Sequence, residues 1–75
     1  MKLNELKPGQ HAIIEEIEDE FLSLKLLEMG FLPGEKVFCR FNAPSGDPIA
    51  YSVGSCIVAM RLSEAKSVIV SNLTE

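Results

Sequence analysis

A segment of fourteen residues, 22–35, combines an apolar helical stripe, a helix stop and a tight turn. Three apolar residues share one side of a helix predicted over residues 21–29, namely Leu22, Leu26 and Met29. Gly30 follows, where a helix end favours a residue that tolerates a left-handed backbone. Pro33 blocks any continuation, and Pro33-Gly34 is the signal of a type II turn. The segment therefore predicts one helix joined through one turn to the next element.

The rest of the chain has the pattern of short strands. Alternating or β-branched apolar residues, separated by Gly and Pro turns, predict strands over residues 11–18, 35–42, 49–53, 56–60 and 68–70. The alternation slips after Ile14, so a β-bulge is expected near Glu15-Glu16. Five short strands and one inserted helix predict a mostly β fold, a small and partly open barrel. The apolar stripe of the helix would plug one end of it.

The alternation also assigns side chains to the two faces of each strand. It places Val37, Cys39 and Phe41 on one face of the second strand, and Cys56 inward on the fourth strand. Some apolar residues are left over, because they point outward in this register: Ile13, Leu24, Phe38, Ile57 and Ile69. A contiguous apolar patch of this kind marks a binding surface. The surface would serve a partner protein or self-association through an open barrel edge.

Size and charge limit the possible functions. The 75 residues predict a single domain, and a net charge of -4 opposes nucleic-acid binding. The first residues lack the apolar run of a signal peptide, and no stretch is long enough to span or insert into a bilayer. We therefore predict a cytoplasmic protein, whose two cysteines are reduced.

The residue types needed for catalysis or metal binding are sparse. His11 is the single histidine, so a dyad with Cys39 or Cys56 is formally possible but less favoured than two buried thiols and a solvated histidine. The acidic run 15–20 lacks the fixed ligand positions of a calcium loop, and no Cys-x-x-Cys or His pair is present. The sequence predicts a non-enzymatic protein without catalytic, cofactor or metal sites.

Two motifs resemble those of a known family. The helix-turn text LLEMGFLPG at residues 26–34 and the loop APSGDPI at residues 43–49 are similar to the FeoA family of bacterial ferrous iron transport. The resemblance implies an SH3-like barrel and an accessory, non-catalytic role toward FeoB, a membrane transporter with a cytosolic GTP-binding domain. Family members usually carry basic residues on the helix, where this chain keeps only Lys25. The same barrel forms the C-terminal domain of iron-dependent repressors. The alternative function is therefore a metal-responsive or peptide-binding module related to that C-terminal domain.

The helix, the turn and the loop supply the candidate partner-binding residues. They are Leu24, Leu27, Phe31, Leu32, Pro33, Pro44 and Asp47. The competing interpretation is turn geometry alone, because Gly30, Gly34 and Gly46 permit positive φ while the prolines stiffen the chain.

Overall fold

A computed structural model describes residues 1–71, in which five antiparallel strands form one sheet in the order β4-β3-β2-β1-β5. A 3₁₀ turn at Leu3–Glu5 precedes the first strand. The elements that follow are β1 (His11–Ile17), α1 (Glu20–Leu27), β2 (Lys36–Asn42), β3 (Ile49–Val53), β4 (Cys56–Met60), α2 (Leu62–Ala65) and β5 (Val68–Val70). The predicted mostly β fold with one inserted helix is confirmed. None of the helices among the described residues has the length and apolar character needed to cross a membrane.

Hydrogen bonds fix both ends of α1. The carboxylate of Asp19 accepts the backbone N–H of Leu22 at 3.1 Å and caps the first turn. At the other end Gly30 has φ +81°. The N–H of Phe31 donates to the carbonyl of Leu26, and that of Gly30 to the carbonyl of Leu27. These two bonds form a Schellman motif, which stops the helix and turns Phe31 back toward it.

The turn after the helix is tied to β1. The N–H of Glu35 donates to the carbonyl of Leu32 at 3.1 Å, and Gly34 has φ +97°, as the predicted type II turn requires. The N–H of Gly34 donates to the carbonyl of Ile14 at 2.8 Å, and the N–H of Ile14 to the carbonyl of Glu35 at 2.9 Å. The backbone of β1 therefore fixes the turn through which the chain passes from α1 into β2.

Two β-bulges change the face of the sheet toward which the following side chains point. The pairing of β1 with β5 shifts between Ile14 and Glu16, so the predicted bulge is confirmed. A second shift lies in β2 between Cys39 and Phe41, where Arg40 has no partner of its own on β3. An extra residue reverses the side chains that follow it. Phe41 is 62% exposed for this reason, and its predicted inward position is wrong.

The core lies between the concave face of the sheet, α1 and the segments that flank the strands. Its largest completely buried side chains include Leu3, Ile14, Leu26, Phe31, Tyr51 and Met60. Leu22 and Leu26 plug the end of the barrel as predicted. Met29 does not, because it comes after the last helical turn and is 37% exposed. Cys39 is buried as predicted, whereas Cys56 beside the β3–β4 turn is only half-buried.

The two edges of the sheet differ. The outer edge of β5 is covered by the first residues of the chain, since the amino group of Met1 donates to the carbonyl of Val70 at 2.8 Å. The N–H of Val70 donates back to the carbonyl of Met1 at 2.7 Å, and Lys2 bridges to Ile69. The other edge is β4, which follows β3 through the turn Gly54-Ser55.

Candidate functional site

Large apolar side chains of α1 are exposed along one line. Phe21 is 89% exposed, Leu24 66% and Leu27 53%. Because residues three apart are neighbours on a helix surface, the three side chains form a continuous strip, which we call the helix ridge. Beside the ridge lies a shallow depression that Leu24 lines together with Ile17 and Ser23. Leu24 and Leu27 were expected at a partner-binding surface, whereas Phe21 was missed although it stands three residues before Leu24.

The turn that follows α1 is divided between core and surface. Phe31 is completely buried, so its predicted place at a partner-binding surface is wrong. The Schellman motif returns its ring to the core beside Leu26. Leu32 is half-buried and Pro33 is exposed, so they can be reached by a partner.

Asp47 connects the β2–β3 loop to the start of α2. Its carboxylate accepts the backbone N–H of Leu62 at 2.9 Å, where α2 begins. The hydroxyl of Ser45 donates to the carbonyl of Asp47 at 2.9 Å. Asp47 also lies at a polar cleft with Lys25, whereas the exposed Pro44 is not among the residues that line it. The predicted site residues are thus spread over the helix ridge, the turn and this loop.

Replacing Asp47 with alanine is expected to lower the free energy of unfolding by about 1 kcal/mol. The reason is the loss of a carboxylate that accepts a backbone N–H at a helix start. Urea denaturation measures the change. Asp47→Asn retains an acceptor oxygen and should lose less, so equal losses in both variants would contradict the capping role.

A groove of about 250 Å³ separates α1 from β4. Leu22 and Leu26 of α1 and Met29, which follows the helix, form one side, and Ile57, Ala59 and Met60 of β4 form the other. Lys25 and Glu64 also line it. The sequence marked Ile57 as an outward apolar residue, and its 65% exposure confirms this. It gave no signal that β4 would lie beside α1.

The convex face of the sheet holds the aromatic residues of β2. Arg40 donates through Nε to the hydroxyl of Ser52 at 2.7 Å, and its guanidinium lies 5.4 Å from the centre of the Phe38 ring. The ring of His11 lies 5.3 Å from that of Phe38. His11 therefore stands on the convex face, while Cys39 faces the core. The histidine and this thiol do not meet as a dyad.

The buried ionisable groups are held in their neutral forms. Burial raises the pKa of the Cys39 thiol, and burial together with the charge of a nearby Cys39 thiolate raises the pKa of Tyr51. A thiol with a raised pKa is a poor nucleophile at neutral pH. Within residues 1–71, no three or more His, Cys, Asp or Glu side chains gather as a metal site would need.

These surfaces sit on a small SH3-like barrel with an inserted helix, a fold that presents binding surfaces around a compact core. The sequence profile of the FeoA domain matches residues 1–72, and the chain belongs to the FeoA family. The resemblance seen in the helix-turn and loop motifs is thereby confirmed.

Similar proteins add the context of iron transport. A fusion protein of Fe(2+) transport protein A and the Fe(2+) transporter FeoB from Porphyromonas gingivalis is 34% identical over 69 residues, covering 91% of this chain and 8% of the fusion protein. The solution structure of iron(II) transport protein A from Clostridium thermocellum is 41% identical with a TM-score of 0.84, covering 93% of this chain and 44% of that one. The chain thus spans less than half of these two relatives.

A further solved relative matches over nearly its whole length. The crystal structure of Stenotrophomonas maltophilia FeoA complexed with zinc is 36% identical with a TM-score of 0.84, covering 95% of this chain and 89% of that chain. It is described as a prokaryotic SH3 domain protein and as a candidate activating factor of bacterial ferrous iron transport. The predicted SH3-like architecture is therefore confirmed.

Proposed function

We propose that this protein is a non-enzymatic accessory protein of ferrous iron uptake that docks through the helix ridge on the cytosolic side of a FeoB-type transporter. Membership in the FeoA family supports the transport context. The fusion relative supports the partner, because it joins a similar domain to that transporter in one polypeptide. Docking shifts the conformation or the nucleotide cycle of the transporter by binding one of its states more tightly than another.

The helix ridge is the observation that carries this proposal. Phe21, Leu24 and Leu27 expose more than half of their surface on a single short helix. Covering one such side chain stabilises a complex by about 1.5–3 kcal/mol before the costs of association. Acidic Glu20 and Glu28 flank the ridge, and Lys25 is the one basic residue of α1. Docking therefore depends on apolar contact and not on positive charge.

The test is an amide NMR titration of the labelled protein with the cytosolic domain of the transporter, with and without a GTP analogue. Shifts centred on α1 and on the turn at Pro33-Gly34 are expected, and a dependence on nucleotide would show coupling to the GTP cycle. An unchanged spectrum with this domain and with the full transporter in nanodiscs would contradict the proposed function. Shifts confined to the polar loop at Asp47 would contradict docking through the ridge.

The variant Leu24→Glu is expected to weaken transporter binding at least tenfold while leaving the fold intact. A carboxylate in the middle of the ridge must lose its water on docking without a partner, whereas it stays solvated in the free protein. Isothermal titration calorimetry with the transporter in nanodiscs measures the affinity. Ser63→Glu adds the same charge at an exposed position of α2 and serves as the matched control. Equal affinities for both variants would rule out the ridge as the docking surface.

A further inference from the structure

The backbone of β4 has hydrogen-bonding groups directed away from the sheet. β3 and β4 form a hairpin with a two-residue turn, in which Val53 faces Cys56 and Tyr51 faces Val58. In such a hairpin the residue pair next to the turn is hydrogen-bonded, and non-bonded and bonded pairs then alternate along the two strands. The pairs of Ile57 and Ala59 are the non-bonded ones. Their N–H and C=O groups therefore point outward from the edge.

This edge differs from the opposite one. The outer side of β5 is hydrogen-bonded to Met1 and bridged to Lys2. Within residues 1–71, no backbone hydrogen bond from a loop or terminus reaches Ile57 or Ala59. In the part of the chain that the structure describes, β4 is the edge with a place for another strand.

The groove between α1 and β4 adds apolar contacts beside these backbone groups. At about 250 Å³ it is smaller than the usual site for a small molecule. It suits one or two side chains of a peptide, which would contact Leu26, Met29 and Met60. A strand added to β4 would lie about 4.8 Å from it and direct every second side chain to this side. The outward backbone groups of β4 and the groove thus favour the same ligand, which is an extended segment with alternating apolar residues.

We infer that the β4 edge binds an extended segment of the FeoB-type transporter as an added strand, with an apolar side chain in the α1–β4 groove. This inference rests on the proposed function and names the second contact made in docking. The fusion relative favours the transporter over a second copy of this chain as the occupant, since fusion supplies one such domain with each transporter. In the polar cleft beside the groove, the positive charges of Lys25 and Arg61 are balanced by the negative charges of Asp47 and Glu64, so recognition does not require a charged segment.

The variant Ala59→Pro tests the backbone contact. Proline removes the outward N–H of Ala59 and places its ring where an added strand would approach, but it removes no hydrogen bond to β3. The exposed Ala59 can be replaced by valine as the matched control, which keeps the N–H and favours a strand. We expect Ala59→Pro to bind the transporter in nanodiscs at least tenfold more weakly than wild type, and Ala59→Val to stay within about threefold. Amide spectra of the free variants establish that the fold is retained.

Each outcome decides the inference. A native-like Ala59→Pro that binds like wild type overturns strand addition, while the proposed function stands because wild type still binds. If the proline variant does not fold, replacing the Ala59 amide by an ester, in a chain ligated at Cys56, removes the same donor without a ring. Unchanged binding of that ester variant is then the overturning result. Should the substitution abolish a dimer seen by light scattering and leave transporter binding intact, the occupant is a second copy and the inference is wrong. No binding by wild type rejects the proposed function and this inference together.

Discussion

Replacing Phe31 with alanine is expected to destabilise the domain by about 3–5 kcal/mol, the usual cost of removing a buried aromatic ring. Phe31 is completely buried, and its N–H makes one of the two hydrogen bonds of the Schellman motif that ends α1. The loss is a large part of the 5–15 kcal/mol that stabilises most native proteins. A small domain has few other core contacts to offset it. Urea denaturation followed by circular dichroism measures the change.

Two further variants separate this structural role from a docking role. Pro33→Ala alters the exposed neighbour in the same turn and is expected to cost less than about 1 kcal/mol. Phe31→Leu keeps an apolar side chain in the cavity, so it should retain both most of the stability and transporter binding. A Phe31→Ala protein that is as stable as wild type but does not bind the transporter would contradict the core assignment.

Stability is expected to fall steeply above pH 9 to 10 because of two buried groups. Burial raises the pKa of the Cys39 thiol above its ordinary 9.0, and burial with the nearby thiolate charge raises the pKa of Tyr51 above its ordinary 10.0. The unfolded chain releases both protons near the ordinary values, whereas the folded chain retains them. Deprotonation therefore favours unfolding as the pH rises. Each group contributes a slope of at most about 1.4 kcal/mol per pH unit, and it does so only between its pKa in the unfolded chain and its raised pKa in the folded chain.

Denaturation curves at pH 7.5, 9, 10 and 11 under reducing conditions measure this slope. Tyr51→Phe lowers the stability at pH 7.5, because the tyrosine hydroxyl donates to the carbonyl of Leu3 at 3.3 Å, but its stability should fall less steeply above pH 10 than that of wild type. Cys39→Ala should reduce the slope from pH 9 upward. A wild-type stability that is constant from pH 8 to 11 would contradict the neutral burial of both groups.

Local signals in the sequence were sufficient to predict the five strands and α1, but not the 3₁₀ turn at Leu3–Glu5. The slipped alternation after Ile14 revealed the β1 bulge, and Gly30 and Pro33 marked the helix end and the turn. In β2 the same reasoning failed, because Phe38 and Phe41 are both apolar and the strand fits either register. The bulge at Arg40 is decided by pairing with β3, where Arg40 bonds to Ser52. The sequence of β2 alone does not show how β2 pairs with β3.

The candidate site was predictable only in part. Leu24 and Leu27 follow from the helical period, since they lie off the stripe that Leu22 and Leu26 direct to the core. Phe31 was misplaced because a residue between a glycine and a turn proline has the local pattern of a surface loop. The α1–β4 groove was not predictable, since its sides come from elements that are far apart in sequence.

The strand order has a consequence for how the molecule assembles. β2, β3 and β4 succeed one another along both the chain and the sheet, so each pairing closes only a short loop. β1 and β5 come from opposite ends of the chain, and bringing them together costs more chain entropy. Local pairings form sooner than distant ones. The hairpins should therefore assemble first and the terminal strands last, so that the barrel is completed only after the whole domain has been synthesised.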